Sequence, residues 1–138
     1  MIYSAIKSGN QFFYVPLEII QTDRKDFPLV KILYVYLHRR FRLPGQLKDG
    51  YIKATVRTLF EKVEYATDNH LLRSYEELKK NIRYLIDNKH ISNKTTINDD
   101  DTGDSEAILN RVWKFYPTEK RMEELNSIAV KRLEQNYN

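Results

Sequence analysis

Apolar residues recur at helical spacing in four segments of the chain, which turn residues and β-forming residues separate. The first segment follows Asp26 and Pro28 and continues to about Arg40, and the second runs from Val56 to about Glu64. Spacings of three and four residues place the apolar side chains of each segment on one face of a helix. The inward positions of these two helices are predicted to be Leu29, Val30, Leu33, Tyr36, Leu37 and Phe41, followed by Val56, Leu59, Phe60 and Val63.

The third helical segment has two alternative starting points. Ser74 and Glu77 have the spacing of a capping box, which favours a helix that begins at Ser74. The apolar spacing also continues backward from Ser74, so the alternative is a start near Asn69 with Asp68 as the cap. The apolar stripe of this helix consists of Leu78, Ile82, Leu85 and Ile86. Three cations lie off the stripe and are predicted to face water together, namely Lys79, Lys80 and Arg83.

Capping signals place the starts of the second and last helices. Thr55 stands directly before the second helix, where its hydroxyl can accept a hydrogen bond from the first turn. Pro117 and Thr118 mark the start of the last helix. Its apolar positions are Met122, Leu125, Ile128, Ala129 and Leu133.

β-forming residues fill several intervals between the helices. Residues 12–20 are rich in aromatic and β-branched side chains, but Pro16 restricts them to an edge strand or an extended arm. Residues 51–52 form a brief predicted strand, and residues 90–97 and 107–116 are predicted to form a hairpin. Turn signals separate these segments at Pro44-Gly45, Asp49-Gly50 and Thr102-Gly103.

Length and composition fit one domain over residues 1–138. With 138 residues, of which 41% are apolar, the chain can bury one core, and we expect an α+β fold that is mainly helical. The absence of cysteine excludes disulfides and thiolate zinc sites, and it fits the cytoplasm, which is the expected location. No signal peptide is visible, and no apolar run approaches the roughly 20 residues that span a bilayer.

The net charge of +4 is unevenly distributed along the chain. Residues 98–106 hold five acidic side chains and no basic one, so the other 14 acidic residues face all 23 basic residues, a balance of +9. A folded body with that charge attracts polyanions. The alternative is an ordinary basic protein from a lysine-rich organism.

Signals for catalysis and for metal binding are missing from the sequence. There is no phosphate-binding loop and no nucleophile elbow. We expect His38, His70 and His90 to be packing or surface residues, because they lack the spacing of metal ligands. The acidic segment lacks the ligand pattern of an EF-hand, although it holds Asp99, Asp100, Asp101 and Asp104. The expected protein is therefore not an enzyme and needs no cofactor or metal.

The order strand, helix, short strand, helix, helix, hairpin, helix resembles the winged helix-turn-helix family over residues 12–116. The runs FFYVPLEII, GYIKATVRTLFEKV and LKKNIRYLIDNKHIS are also similar to the N-terminal domains of DnaD-like proteins and plasmid replication initiators. The resemblance implies an N-terminal strand or arm, a reading helix that continues into a wing, and an extra C-terminal helix at 117–138. It also implies double-stranded DNA as the partner, in bacterial, phage or plasmid replication, segregation or transcription control.

A helix that enters the major groove reads base edges with its first turns, and neighbouring elements contact the backbone. On this basis the expected DNA contacts are Thr55, Arg57, Thr58, Arg73, Ser74, Tyr75, Lys79, Lys80, Arg83, Lys94, Arg111 and Lys114. Each of these side chains can instead belong to an ordinary solvated face. Arg39, Arg40 and Arg42 suit either the dipole of the first helix or a phosphate.

The last helix and the acidic segment suggest protein partners. The plan of a winged helix plus a terminal helix is similar to the replication terminator protein of bacilli and to PadR-type repressors, which implies a homodimer through Met122, Leu125, Ile128, Ala129 and Leu133. The alternative is that this helix packs on its own domain. Phosphate would repel an acidic wing tip, so a basic protein partner at Asp99, Asp100, Asp101 and Asp104 is a second hypothesis. A winged helix used for protein–protein assembly in a replication or partition complex is therefore the rival function.

Overall fold

In the part of the chain that the structure describes, helices dominate and the strands form two small antiparallel sheets. The computed structural model describes residues 3–8, 11–43, 45–64, 71–97 and 104–127. In chain order the elements are β1 (Tyr3–Ser8), β2 (Gln11–Pro16), α1 (Leu17–Ile20), α2 (Val30–Arg42), β3 (Ile52–Thr55), α3 (Val56–Lys62), α4 (Leu71–Asp87), α5 (Ser105–Leu109) and β4 (Val112–Phe115). Residues 119–127 are also helical and are called α6. The expected α+β class with a majority of helix is confirmed.

The first sheet is a hairpin of β1 and β2. Its antiparallel register pairs Tyr3 with Pro16 and Ser8 with Gln11. Pro16 stands at the end of the ladder, where its missing N–H interrupts no interior hydrogen bond. The strand predicted for residues 12–20 is confirmed as far as Pro16, whereas the remainder forms the short helix α1. The sequence pattern does not predict β1, because polar residues make up half of that segment.

The second sheet pairs β3 with β4 in antiparallel register. Ile52 lies opposite Phe115, and Ala54 lies opposite Trp113. All four side chains are buried, so this face of the sheet belongs to the core. Because side chains alternate along a strand, the intervening residues of β3 and β4 lie on the other face. The brief strand predicted at 51–52 is confirmed at Ile52 and extends to Thr55.

The predicted hairpin over residues 90–97 and 107–116 is only partly formed. Thr96 bridges to Lys114, and its N–H donates to the Lys114 carbonyl at 2.8 Å. Residues 107–109 are helical instead of extended, because the Asp104 carboxylate accepts the Ala107 N–H at 2.8 Å and caps α5. The strand prediction is therefore wrong for 107–109, and the predicted turn at Thr102-Gly103 lies outside the described residues.

Local capping signals place the starts of α3 and α6 correctly. The Thr55 hydroxyl accepts the Thr58 N–H at 3.1 Å and caps α3, and the Thr118 hydroxyl accepts the Arg121 N–H at 3.2 Å at the start of α6. Gly45 and Gly50 have positive φ values of 79° and 86° in the turn before β3, which favours glycine at both positions. All the inward positions predicted for α3 are buried.

The predicted start of the third helix at Ser74 is wrong. The helix α4 is already formed at Leu71, and Ser74 lies inside it. The capping-box spacing from Ser74 to Glu77 is therefore coincidental, and the apolar spacing that runs backward through Tyr75 to Leu71 decides the outcome. The earlier cap proposed at Asp68 lies outside the described residues.

A buried amide fixes α4 against the start of α2. The side chain of Asn81 is fully buried, and its Oδ1 accepts the backbone N–H of Leu29 at 3.0 Å. Its Nδ2 donates to the carbonyl of Glu77 at 2.7 Å. The first N–H groups of a helix have no partner within the helix, and Leu29 is the N-cap residue of α2. The side chain of Asn81 in α4 therefore supplies a hydrogen-bond acceptor for an N–H group at the N-terminal end of α2.

Two histidines join α2 to the segment that follows α4. His38 is buried in α2, and its Nε2 lies 2.8 Å from the carbonyl oxygen of His90, to which the N–H donates. Burial and then the cation of Arg121 lower the pKa of His38 to about 3. The Nε2 of His90 lies 3.2 Å from a carboxylate oxygen of Glu18. Both rings therefore serve packing, as predicted, and His70 lies outside the described residues.

Candidate nucleic-acid interface

The predicted DNA contacts on α3 are engaged within the protein. The hydroxyl of Thr55 caps the helix and also donates to the hydroxyl of Thr58 at 2.9 Å. Arg57 donates to a carboxylate oxygen of Glu106 in α5 at 2.8 Å, and both side chains are partly exposed. The Glu106 carboxylate offsets the charge of Arg57, so the start of α3 is less basic than its sequence suggests.

The exposed surface of α4 carries three basic residues. Arg73, Lys80 and Arg83 are exposed, while Ser74 is half-buried. Lys80 is seven positions after Arg73, and Arg83 is three positions after Lys80, so the three lie along one side of the helix over about 15 Å. The opposite side is fixed to the core by Leu78, Ile82 and Leu85. We call Arg73, Lys80 and Arg83 the α4 cationic face.

Two predicted contacts on α4 are buried, and their assignment to DNA is therefore wrong. Tyr75 is fully buried, and Lys79 is only 2% exposed. The Nζ of Lys79 lies 2.8 Å from a carboxylate oxygen of Glu76 and 4.4 Å from the centre of the Tyr75 ring. Tyr75 continues the apolar stripe, and Lys79 lies at its margin, where the long methylene chain of lysine packs while its ammonium group contacts these partners.

Arg111 joins the start of β4 to α4. Its guanidinium donates to the hydroxyl of Tyr75 at 3.0 Å and also lies 5.7 Å from the centre of that ring. The ring of Tyr75 stacks in turn on Trp113, with centroids 5.7 Å apart. Arg111 is half-buried in this arrangement. Its main role is therefore to position α4 against the sheet.

On the outer face of the second sheet, two lysines lie close to one aromatic ring. Lys53 and Lys114 are directly opposite each other in the register of β3 and β4. Their ammonium groups lie 5.9 Å and 4.9 Å from the centre of the Tyr51 ring, which contacts Tyr116 with centroids 5.1 Å apart. We call these four residues the basic sheet face. Like charges directly opposite each other on a sheet destabilise it, so a bound anion would relieve the repulsion.

Lys114 is a predicted DNA contact, whereas the other three residues of the basic sheet face are not. For Tyr51 and Lys53 a signal is present in the sequence, because they alternate around the buried Ile52 and so lie on the outer face of the strand. Arg40 supports this region, because its guanidinium donates to the carbonyl of Lys53 at 2.6 Å. The predicted contact Lys94 is exposed in the turn that leads to the bridge at Thr96.

The acidic segment and the last helix are described only in part. Asp104 caps α5, so it is not simply a solvated residue of a loop tip, and Asp99, Asp100 and Asp101 lie outside the described residues. Met122 is half-buried, and Leu125 packs partly against the core, as the intrachain alternative predicts. The other predicted dimer residues lie outside the described part, namely Ile128, Ala129 and Leu133.

Within the described ranges, no group of three or more acidic or histidine side chains is arranged to hold a metal ion. None of the helices in that part of the chain is long and apolar enough to cross a membrane. No family model, curated protein or solved structure matches the chain.

Proposed function

We propose that the protein binds double-stranded DNA through the α4 cationic face, in the manner of a winged helix-turn-helix protein. The observation that carries the proposal is that α4 packs by one side and presents Arg73, Lys80 and Arg83 on the other. An α-helix fits the major groove, where arginine and lysine bond to guanine or phosphate. The 17 residues of α4 give a helix of about 25 Å, which is long enough to cross that groove.

The order of the elements supports the same assignment. The series α2, β3, α3 and α4, followed by a bridge at Thr96 and then by β4, is the order expected of a winged helix. In that arrangement the segment from Thr96 to β4 is the wing, with α5 inserted in it. The bond from Asn81 to the start of α2 holds α4 at a fixed angle, and a reading helix needs such support.

The basic sheet face supplies a second contact in this proposal. Lys53 and Lys114 share the ring of Tyr51, and two lysines so close together suit a phosphate group. Lys94 adds a cation near the bridge at Thr96. These residues would contact the DNA backbone and set its orientation, while α4 reads the bases.

The expected setting is a bacterial, phage or plasmid protein in replication, segregation or transcription control, acting as a homodimer. A two-fold dimer would place two reading helices about 34 Å apart and require a palindromic site. The rival function is protein–protein assembly in a replication or partition complex. One observation favours that rival, an apolar groove with a basic rim beside α2, whose occupant is inferred below.

The test is a comparison of two double variants with a matched control. We expect Lys80→Ala with Arg83→Ala, and separately Lys53→Ala with Lys114→Ala, to weaken binding to a labelled duplex. Each lost phosphate contact should lower the slope of log K against log salt by about 0.9. The control is Lys48→Ala with Lys120→Ala, which removes two exposed lysines from outside both faces and should change the slope little.

Fluorescence anisotropy at several salt concentrations measures the affinity, and circular dichroism checks that the variants are folded. Lys79 is not a suitable target, because its burial would confuse a loss of folding with a loss of binding. If both double variants bind with the affinity and salt slope of the control, neither face contacts DNA and the proposal fails.

A further inference from the structure

A groove of about 610 Å³ opens between α2 and the segment that connects β2 to it. Its volume is within the range of sites that hold ligands, roughly 300–1,000 Å³. Apolar side chains form most of its floor, namely Ile19, Ile20, Phe27, Ile32, Val35 and Tyr36. Ile32, in the first turn of α2, is 44% exposed, so the helix presents apolar surface to water at this point.

Four cations line the same groove, namely Arg24, Lys31, Arg39 and Lys62. None of them forms an ion pair within the described ranges, although Lys62 lies 5.7 Å from the centre of the Tyr36 ring. No described residue that lines the groove is acidic. Asp23 and Asp26 belong to the same connecting segment, but neither of them lines the groove. The groove therefore combines an apolar floor with a lining of four cations.

The positive charges are spread along the groove and do not converge on one point. Lys31 and Arg39 are eight residues apart on α2, a distance of about 12 Å along the helix axis. Ile32 and Val35 lie between them on the same side of the helix. A ligand with a single anionic head group would meet only one end of this arrangement. A ligand with several anionic groups and apolar groups between them would match its whole length.

We propose that this groove binds an acidic peptide segment of a partner protein, with apolar side chains on the floor and carboxylates beside the rim cations. About four residues of extended peptide, at roughly 3.3 Å each, span the distance from Lys31 to Arg39. The acidic segment of the chain itself, residues 98–106, holds only polar residues, glycine and acids, so it does not supply the apolar anchors. The inference does not rest on the proposed DNA binding, because the groove is lined by other residues, in α2, α3 and the connecting segment.

The probe is a labelled peptide of about ten residues, a length that exceeds the groove, in which pairs of aspartates flank leucine and phenylalanine. A matched peptide carries asparagine in place of every aspartate. We expect the acidic peptide to bind in an anisotropy titration and the asparagine peptide to bind at least about tenfold more weakly, because the rim interactions need negative charge. Equal binding of the two peptides would overturn the proposal.

Variants then locate the binding site. Ile32→Asp should abolish binding of the acidic peptide, and Lys31→Glu with Arg39→Glu should weaken it at least about tenfold. The control, Lys48→Glu with Lys120→Glu, makes the same change in net charge at exposed positions outside the groove and should retain most of the affinity. The two charge variants alter surface residues, so they test the site even if Ile32→Asp does not fold.

Two further ligands test whether the groove instead binds a fatty acid or a single-stranded nucleic acid. Decanoate has one carboxylate and an apolar chain, and a labelled oligothymidylate represents single-stranded nucleic acid. The proposal is overturned if decanoate displaces the acidic peptide at equal concentration, or if Ile32→Asp abolishes binding of the oligothymidylate. It is also overturned if the groove variants and the control bind the acidic peptide equally. Binding of the acidic peptide that only the groove variants lose supports it.

Discussion

His38 should make the stability of the protein fall as the pH drops below about 6.5. The pKa of a histidine in the unfolded chain is about 6.5, and in the folded protein burial and the cation of Arg121 lower the pKa of His38 to about 3. Between these two values the unfolded chain binds a proton that the folded protein does not bind. The free energy of unfolding therefore decreases as the pH falls through this window.

The size of the effect follows from the two pKa values. Each pH unit between them changes the free energy of unfolding by about 1.4 kcal/mol, so His38 contributes a loss of about 2 kcal/mol between pH 7.5 and pH 5. Burial also lowers the pKa of His90, although the Glu18 carboxylate opposes this, so His90 contributes in the same direction. Unperturbed aspartates and glutamates titrate near pH 4 and contribute little above pH 5.

The assay is urea denaturation of the wild type and of His38→Gln between about pH 5 and pH 7.5. Glutamine keeps an N–H that can donate to the carbonyl of His90, and it does not titrate. We expect the variant to be less stable at pH 7.5, because its packing against Tyr34 and Phe41 differs, but to lose about 2 kcal/mol less than the wild type on acidification. If both proteins lose the same stability over this range, His38 is not the group that takes up the proton.

The contact between α4 and α2 and the assembly of the protein give two further predictions. Asn81→Ala should lower the free energy of unfolding by about 1–3 kcal/mol, because it leaves the buried N–H of Leu29 without an acceptor, and urea denaturation at neutral pH measures this. A loss below about 0.5 kcal/mol would mean that another acceptor replaces the amide. For the predicted homodimer, light scattering of the wild type should give twice the monomer mass, and Leu133→Asp should give a folded monomer that binds DNA more weakly. Leu125 is unsuitable for this test because it packs partly against the core, and a wild type that stays monomeric both alone and on DNA would contradict the dimer.

The parts of the fold that the sequence predicts are those that local interactions determine. Thr55 caps α3 through its own hydroxyl, so the four residues from 55 to 58 carry the whole signal. Gly45 and Gly50 mark the turn before β3 because their φ values are positive. The apolar spacing of α3 likewise predicts which of its residues are buried, since the helix is short and packs by one side.

The parts that the sequence does not predict depend on contacts between distant segments. Lys79 lies at the margin of the apolar stripe, and its burial depends on Tyr75 and Arg111, which pack together only because β4 reaches α4. The cap on α2 comes from Asn81, more than fifty residues away in the sequence. The sequence pattern places Asp104 in a charged loop. Its role as the N-cap of α5 depends on the helix that follows it. The presence of a lysine or arginine near a helix stripe therefore does not show whether its side chain is exposed for binding.

The groove and the α4 cationic face meet at Phe27, so binding of a ligand at one should affect binding at the other. Phe27 lines the groove, its ring lies 4.4 Å from that of Tyr84 in α4, and the ammonium group of Lys80 lies 5.0 Å from its centre. Lys80 also belongs to the α4 cationic face. If both proposals hold, an acidic peptide in the groove brings negative charge close to a residue that DNA also needs, so each ligand should weaken the binding of the other. Linkage requires the two effects on affinity to be equal, which connects the DNA-binding and protein-binding functions through one lysine and one aromatic ring.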